Sequence, residues 1–269
     1  MKVVLFCGGF GTRLKDLSEN VPKPMVNIGY RPILWHLMKY YAYYGHKDFI
    51  LCLGYKADVI KRYFLNYDEC LTNNFVLCKG GKDVKLLNSD IQDWKITFVD
   101  TGINSPIGQR LKVVEEHLKG EEVFLANYVD GLTDLALGDY IDRFLARRQI
   151  ASFLAVKPAQ TFHVVSTNGD LVQKIENVTQ ADIWINGGYF IFRKEIFSFI
   201  HDGEDLVEKP FQRLIAEQQL FVYKHDRFWA CMDTFKEKQQ LEDLYTRGGA
   251  PWEVWKTSLK HQEAWQANA

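Results

Sequence analysis

The stretch LFCGGFGTRLKDLSENVPKPMV, residues 5–26, decides the fold. It continues an apolar run, VVLFC at residues 3–7, that breaks into Gly8 and Gly9. That is the pattern of a buried parallel strand handing the chain to a loop. In an open parallel sheet ligands bind beyond the carboxyl ends of the strands, and glycines there let backbone N–H groups approach phosphate oxygens closely. GGFGTRL contains Gly-x-Gly but lacks the third glycine of a dinucleotide fingerprint and the Gly-Lys-Ser/Thr ending of a P-loop. On composition alone such a turn is as often a plain strand-to-loop connection as a phosphate site. Two cations raise the odds: Arg13, and Lys23 ten residues later. Either alone reads as a solvated surface charge, but Pro22 and Pro24 fix the backbone that aims Lys23.

Outward from this stretch, strand-like and helix-like segments alternate. Residues 48–55 (DFILCLGY), 94–102 (WKITFVDTG), 121–131 (EEVFLANYVDG) and 151–158 (ASFLAVKP) read as strands. Residues 31–46, with Pro32 in the first turn and Gly45 as a stop, read as a helix, as do 57–67, 109–118 and 137–148. A less regular β-rich stretch covers 163–192; two amphipathic helices are expected near 195–200 and 210–219, and a last helix over 235–247. Repeated strand–helix units predict an α/β fold, a single Rossmann-like domain over 1–269 with a mostly parallel central sheet and helices on both faces. Residues 66–95 lack the alternation and read as a small β-rich insertion, a loop or hairpin, and 248–269 as a C-terminal tail.

The bulk composition excludes several classes. The 269 residues are 47% hydrophobic and 14% aromatic, enough for a sizeable core. A net charge of −1 gives no general attraction to nucleic acid or to an anionic membrane. The five cysteines (Cys7, Cys52, Cys70, Cys78, Cys231) are scattered without metal-ligand spacing, which argues against a disulfide framework or a zinc site and fits a reducing compartment. With no signal-like or membrane-length apolar run, the expectation is a soluble cytoplasmic protein.

Two aspartates follow strand-like runs: Asp130 in NYVDG and Asp233 in ACMDT. Asp134 and Asp233 also suit the role of helix N-caps. As a pair facing the glycine loop, Asp130 and Asp233 suit Mg²⁺, which is held by one or two carboxylates plus substrate phosphates. No Ser/His/Asp or Cys/His arrangement is apparent, and the seven histidines form no cluster. A nucleophile that is already anionic, such as a sugar phosphate with a second pKa of about 6, needs no general base. Cations are then the main catalytic devices.

These segments, with VDTG.NS..GQRLK, DGLTD, INGGYFIF and the APWEVW tail, resemble the sugar-1-phosphate nucleotidyltransferases, and most nearly the glucose-1-phosphate cytidylyltransferase branch. The resemblance spans essentially the whole chain. It implies a GT-A-like nucleotidyltransferase fold, formation of an NDP-sugar (CDP-glucose) and pyrophosphate from an NTP (CTP) and a sugar 1-phosphate, Mg²⁺ as cofactor, and a homo-oligomer. Carried across, Gly8, Gly9, Gly11 and Thr12 would cradle the nucleotide. Arg13 would grip the leaving pyrophosphate, and Lys23 would sit between the α-phosphate and the sugar phosphate. Arg110 would contact the nucleotide; Glu176 and Asn186 would contact the sugar; Asp130 and Asp233 would hold the metal. Two departures stand out. The family carries Glu-Lys-Pro where this chain reads Glu176-Asn177-Val178, so Asn177 replaces the lysine that holds the sugar phosphate, with Lys174 and Lys157 as nearby candidates for the charge. Val129 stands where the branch tends to have glycine. Other readings are dTTP or UTP as donor, another phosphorylated acceptor, a regulatory subunit with weakened catalysis, a glycosyltransferase (disfavoured by the missing Asp-x-Asp) and a nicotinamide oxidoreductase (disfavoured by the missing third glycine).

Overall fold

The computed structural model describes residues 1–9, 21–158 and 162–256. Among them seven strands form the central sheet: β1 Val3–Phe6, β2 Asp48–Leu53, β3 Lys95–Asp100, β4 Val123–Asn127, β5 Ala151–Val156, β6 Ile185–Arg193 and β7 Leu220–His225. Their order across the sheet is β7-β5-β6-β4-β1-β2-β3. β1 pairs in parallel with β2 and β4, β2 with β3, and β5 with β7. Only β6 runs against its neighbours β4 and β5. The amino end of β6, carrying Asn186, therefore lies with the carboxyl ends of the other strands. One sheet edge collects the ends of all seven, which is where the sequence pattern puts the site.

Alternation along each strand builds two cores. Val3 and Leu5 of β1 join Leu51, Leu125 and Tyr189 on one face, while Val4 and Phe6 join Ile50, Ala126 and Phe190 on the other. The first face is covered by α1 (Ile33–Tyr43) and α4 (Leu137–Leu145), through residues such as Leu37 and Phe144. Leu111 of α3 (Ile107–Val113) and Phe211 of α5 (Lys209–Ala216) cover the second. The last helix, α6, spans Phe235–Thr246, and a shorter one, α2, covers Ala57–Leu65. The result is a mixed, mostly parallel sheet between helical layers.

Three local expectations change. Pro32 precedes α1 in extended backbone (ψ 155°) rather than occupying its first turn. The helix expected over 109–118 ends at Val113, and Glu115–Leu118 tightens into a 3-10 turn after two adjacent β-branched residues that crowd a helix. The helix expected near 195–200 is a 3-10 segment, Lys194–Phe199.

Two antiparallel hairpins project from this frame. Phe75–Cys78 pairs with Asp83–Leu86, and His163–Asn168 with Leu171–Asn177. The first belongs to a segment tied to the body by buried Arg31, which donates to the Asp68 carbonyl at 2.9 Å and stacks 4.1 Å from the Tyr67 ring centre. No helix among the described residues is long and apolar enough to cross a membrane.

Candidate active site

Lys23 lies in a 3-10 turn, Lys23–Met25, entered through Pro22 and anchored by buried Pro24 and Met25. With the backbone fixed on both sides, its side chain is aimed at the sheet edge. Its Nζ donates to Asp130 Oδ2 at 3.0 Å and also to Asp233 Oδ1. Asp130, 107 positions from Lys23, and Asp233, 210 positions from it, meet on one ammonium. Lys23's side chain is 15% exposed and those of the aspartates 30%. Burial alone pulls the Lys23 ammonium down, but the two carboxylates outweigh it and hold it above the ordinary lysine range. Asp130 is pushed up by burial and by repulsion from Asp233, with Lys23 opposing.

The capping alternative for the aspartates is not what the structure shows. Thr234 caps the helix Phe235–Thr246 in a reciprocal capping box with Glu237, whose carboxylate also takes the Asp233 N–H at 2.9 Å. The Asp233 side chain is thereby released toward Lys23. Asp134 instead pairs with His225 Nε2 at 3.0 Å and Arg227 at 2.9 Å.

Asp130 follows a strained turn. Val129 has φ +66°, the left-handed region that a β-branched residue strongly disfavours. The surroundings hold it there: Asn127 Oδ1 accepts from the Val129 N–H at 2.7 Å, the Asp130 carbonyl accepts from Met232 N at 2.8 Å, and Val129 is buried. A glycine would take this conformation without strain, which accounts physically for the residue type the branch prefers here.

Arg110 is buried beneath the glycine loop. Its guanidinium donates to the carbonyls of Gly8 (3.1 Å), Leu53 (3.2 Å) and Ile103 (3.0 Å) and to Thr101 Oγ1 (2.8 Å). It joins the ends of β1 and β2 to the turn after β3, with four of its N–H donors on protein acceptors. These bonds support the loop at Gly8 from below. A Cβ on Gly8 would lie 1.9 Å from an Arg110 nitrogen, so only glycine fits over this side chain. Gly9 is exposed beside it. Gly11, Thr12 and Arg13 lie outside the described residues.

On the far side of the sheet edge, Asn186 Oδ1 accepts from Gly188 N at 2.9 Å, and its side chain bonds Tyr128, two residues before Asp130. Glu176 sits near the end of the second hairpin, paired with Lys174 at 2.8 Å. Asn177 is turned inward on its own chain: its Oδ1 accepts from Thr179 N (3.0 Å) and Oγ1 (2.8 Å) and caps the following turn. Lys157 is bound to Asp182 at 3.1 Å. Sequence reading passed over Asp182, Trp184 and Lys224 around it, because only strand register brings them together.

Two carboxylates converging on one cation, with no third acidic, histidine or cysteine ligand grouped with them among the described residues, make a hard-oxygen donor set. That set suits a divalent ion whose remaining ligands are phosphate oxygens. The Lys23 ammonium marks the point where the protein already holds a positive charge.

A nucleotidyl transferase family profile matches residues 2–242. The chain is similar to a glucose-1-phosphate cytidylyltransferase of Salmonella typhimurium, 38% identical over 258 residues, covering 95% of this chain and 100% of that protein. It is also similar to a D-glycero-alpha-D-manno-heptose 1-phosphate guanylyltransferase of Campylobacter jejuni, 29% identical, covering 82% and 91%. Among solved structures, a UDP-glucose pyrophosphorylase complexed with UDP-glucose superposes with a TM-score of 0.66 at 14% identity, covering 92% of this chain and 98% of that one, a likeness of fold. The chain belongs to the nucleotidyl transferase family.

Proposed function

We propose that the protein joins CTP and glucose 1-phosphate into CDP-glucose and pyrophosphate. The observation that carries the reading is Lys23 Nζ bridging Asp130 and Asp233 at the carboxyl edge of the sheet, in a chain 38% identical to a glucose-1-phosphate cytidylyltransferase.

An oxygen of the sugar phosphate attacks the α-phosphorus in line with the bond to the β-phosphate; that bond breaks, and its electron pair leaves with pyrophosphate. The nucleophile is anionic near neutral pH, so no side chain needs to remove a proton. What must be overcome is repulsion between two phosphates. Lys23, kept charged by its two carboxylates, offsets that repulsion at the reacting centre. Asp130 and Asp233 would hold Mg²⁺, which when bound neutralises the polyphosphate. Gly8 and Gly9 present backbone N–H groups to the nucleotide, with Arg110 fixing Gly8; Gly11, Thr12 and Arg13 are assigned to the nucleotide and the departing pyrophosphate by resemblance. Asn186 and Glu176 are assigned to the sugar and Asn177 to the turn beside it. A homo-oligomer in the cytoplasm is the accompanying expectation.

The test is pyrophosphate release by the purified protein with Mg²⁺, each NTP and a panel of sugar 1-phosphates. Release with CTP and glucose 1-phosphate is expected. Release only with dTTP or UTP, or only with another phosphorylated acceptor, would overturn the substrate assignment; none with any pair would favour a regulatory subunit.

A further inference from the structure

Glu237 makes more contacts than a helix cap requires. A capping box needs two bonds: the N-cap side chain takes the N–H of the third helical residue, whose carboxylate returns to the N-cap N–H. Thr234 and Glu237 make both, at 3.2 Å and 2.9 Å. Two further contacts lie outside that box. Glu237 Oε2 also accepts from the Asp233 N–H at 2.9 Å, and Oε1 accepts from the Cys231 thiol at 3.5 Å. One half-buried carboxylate thus grips residues 231, 233 and 234.

The gripped segment carries one site carboxylate and is paired to the segment that carries the other. Trp229–Cys231 runs antiparallel to Gly131–Thr133, with Cys231 opposite Gly131, the residue after Asp130. The Met232 N–H donates to the Asp130 carbonyl at 2.8 Å. Three successive N–H groups are therefore held, that of Met232 by Asp130 and those of Asp233 and Thr234 by Glu237. The ladder brings the two aspartates together, and Glu237 keeps the backbone at Asp233 from turning away from it. What is left to set is the Asp233 side chain, which Lys23 meets.

A divalent ion makes that placement exacting. Mg²⁺ demands near-ideal octahedral geometry with ligands at about 2.0–2.1 Å, so a carboxylate on a loose backbone binds it poorly. Groups that hold a metal ligand without touching the metal change affinity or activity by about 10–100-fold when removed.

We propose that Glu237 is a positioning residue for the metal site: its carboxylate fixes the backbone at Asp233 so that the Asp233 carboxylate can share an ion with Asp130. The proposal rests on the nucleotidyltransferase reading above, in which the two aspartates hold Mg²⁺.

Titration of Mn²⁺ into the purified protein, with free Mn²⁺ read by electron paramagnetic resonance, tests it without turnover. Glu237→Ala is expected to raise the Kd for Mn²⁺ by about tenfold. Glu237→Gln keeps an oxygen for the Asp233 and Thr234 N–H groups and turns its amide to the Cys231 sulfur, so it is expected to recover most of the affinity. Thr234→Ala breaks the capping box but leaves both of those N–H groups on Glu237; it is expected to lower the urea midpoint with the Kd for Mn²⁺ unchanged. Wild-type affinity in Glu237→Ala would overturn the proposal. So would an equal loss in Thr234→Ala, which would make cap stability the cause, or a loss in Glu237→Gln as large as in Glu237→Ala, which would make charge the cause. Absence of saturable Mn²⁺ binding in the wild type would overturn it as well. In kinetics, Glu237→Ala is expected to raise the Mg²⁺ concentration for half-maximal rate with KM for glucose 1-phosphate unchanged. If the wild type releases no pyrophosphate with any substrate pair, the functional reading fails, and the Mn²⁺ titration still decides the role of Glu237.

Discussion

Lys23 makes its contacts from a turn that can bend in few other ways. A lysine on a free loop loses about 2 kcal/mol of rotamer freedom when it is held; flanking prolines remove the backbone part of that cost before folding begins. The two aspartates would repel each other without the cation, as the upward push of Asp233 on Asp130 records. Lys23→Ala therefore removes a charge from the reacting centre and leaves two half-buried carboxylates facing each other. Lys23→Ala and Asp233→Asn are each expected to lower kcat by at least about two orders of magnitude. Pyrophosphate release at saturating substrates checks this, and near-normal turnover in either variant would refute the role assigned to that residue.

At the level of elements, α1 is unusual in being core on nearly every side: nine of its eleven residues are buried. A surface helix has one apolar stripe; one that is apolar all round needs a second cover. The chain supplies that cover with residues 250–256. Trp252 is 1% exposed and stacks against Phe228, while Trp255 meets Trp35 edge to face. Between them lies buried His36. Its Nε2 faces the Ile28 carbonyl at 2.9 Å, and its Nδ1 accepts from Trp252 Nε1 at 3.3 Å. Both contacts are satisfied only by a neutral ring carrying its proton on Nε2, and burial lowers its pKa to about 4. An unfolded histidine titrates near 6.5. The stability His36 contributes is therefore complete above about pH 6.5 and is lost as pH falls toward 4, by up to about 3 kcal/mol. Urea unfolding across that range is expected to show this slope in the wild type and a shallower one in His36→Gln. Trp252→Ala is expected to cost about 3–5 kcal/mol at neutral pH; a loss under 1 kcal/mol would mean the segment does not hold α1.

At the scale of the whole molecule, Arg110 couples the parts of the sheet edge that no single element could align. Four hydrogen bonds from one buried guanidinium fix Gly8 against the ends of β2 and β3. Arg110→Ala strands those acceptors in the interior, at about 1–3 kcal/mol for each one left unsatisfied. Arg110→Lys keeps the charge but replaces a rigid fork with a point donor. Both variants are expected to lower the urea midpoint and raise KM for CTP, with Arg110→Lys recovering less than half of the lost stability. Full recovery by lysine would mean that charge matters here rather than geometry.

The mostly parallel sheet was legible in the residues, and so were Lys23, Asp130 and Asp233 as candidates; that Lys23 bridges the two aspartates was not. Buried parallel strands read as continuous apolar runs, and polar residues placed just past their carboxyl ends stand where ligands bind in such sheets. The sequence by itself determined an α/β sheet with a cationic and acidic edge. Tertiary structure decided what each polar group does there: Thr234 rather than Asp233 caps the last helix, Arg110 supports the loop, Asn177 caps a turn, and Val129 holds a left-handed backbone. It also made one cluster of Lys157, Asp182, Trp184 and Lys224. The Thr234 capping box and the Asn177 turn are local, two or three residues long, but the places of Arg110 and of Lys157 depend on which donor meets which acceptor across strands far apart in the chain, and strand register, fixed by packing of the whole sheet, carries that information.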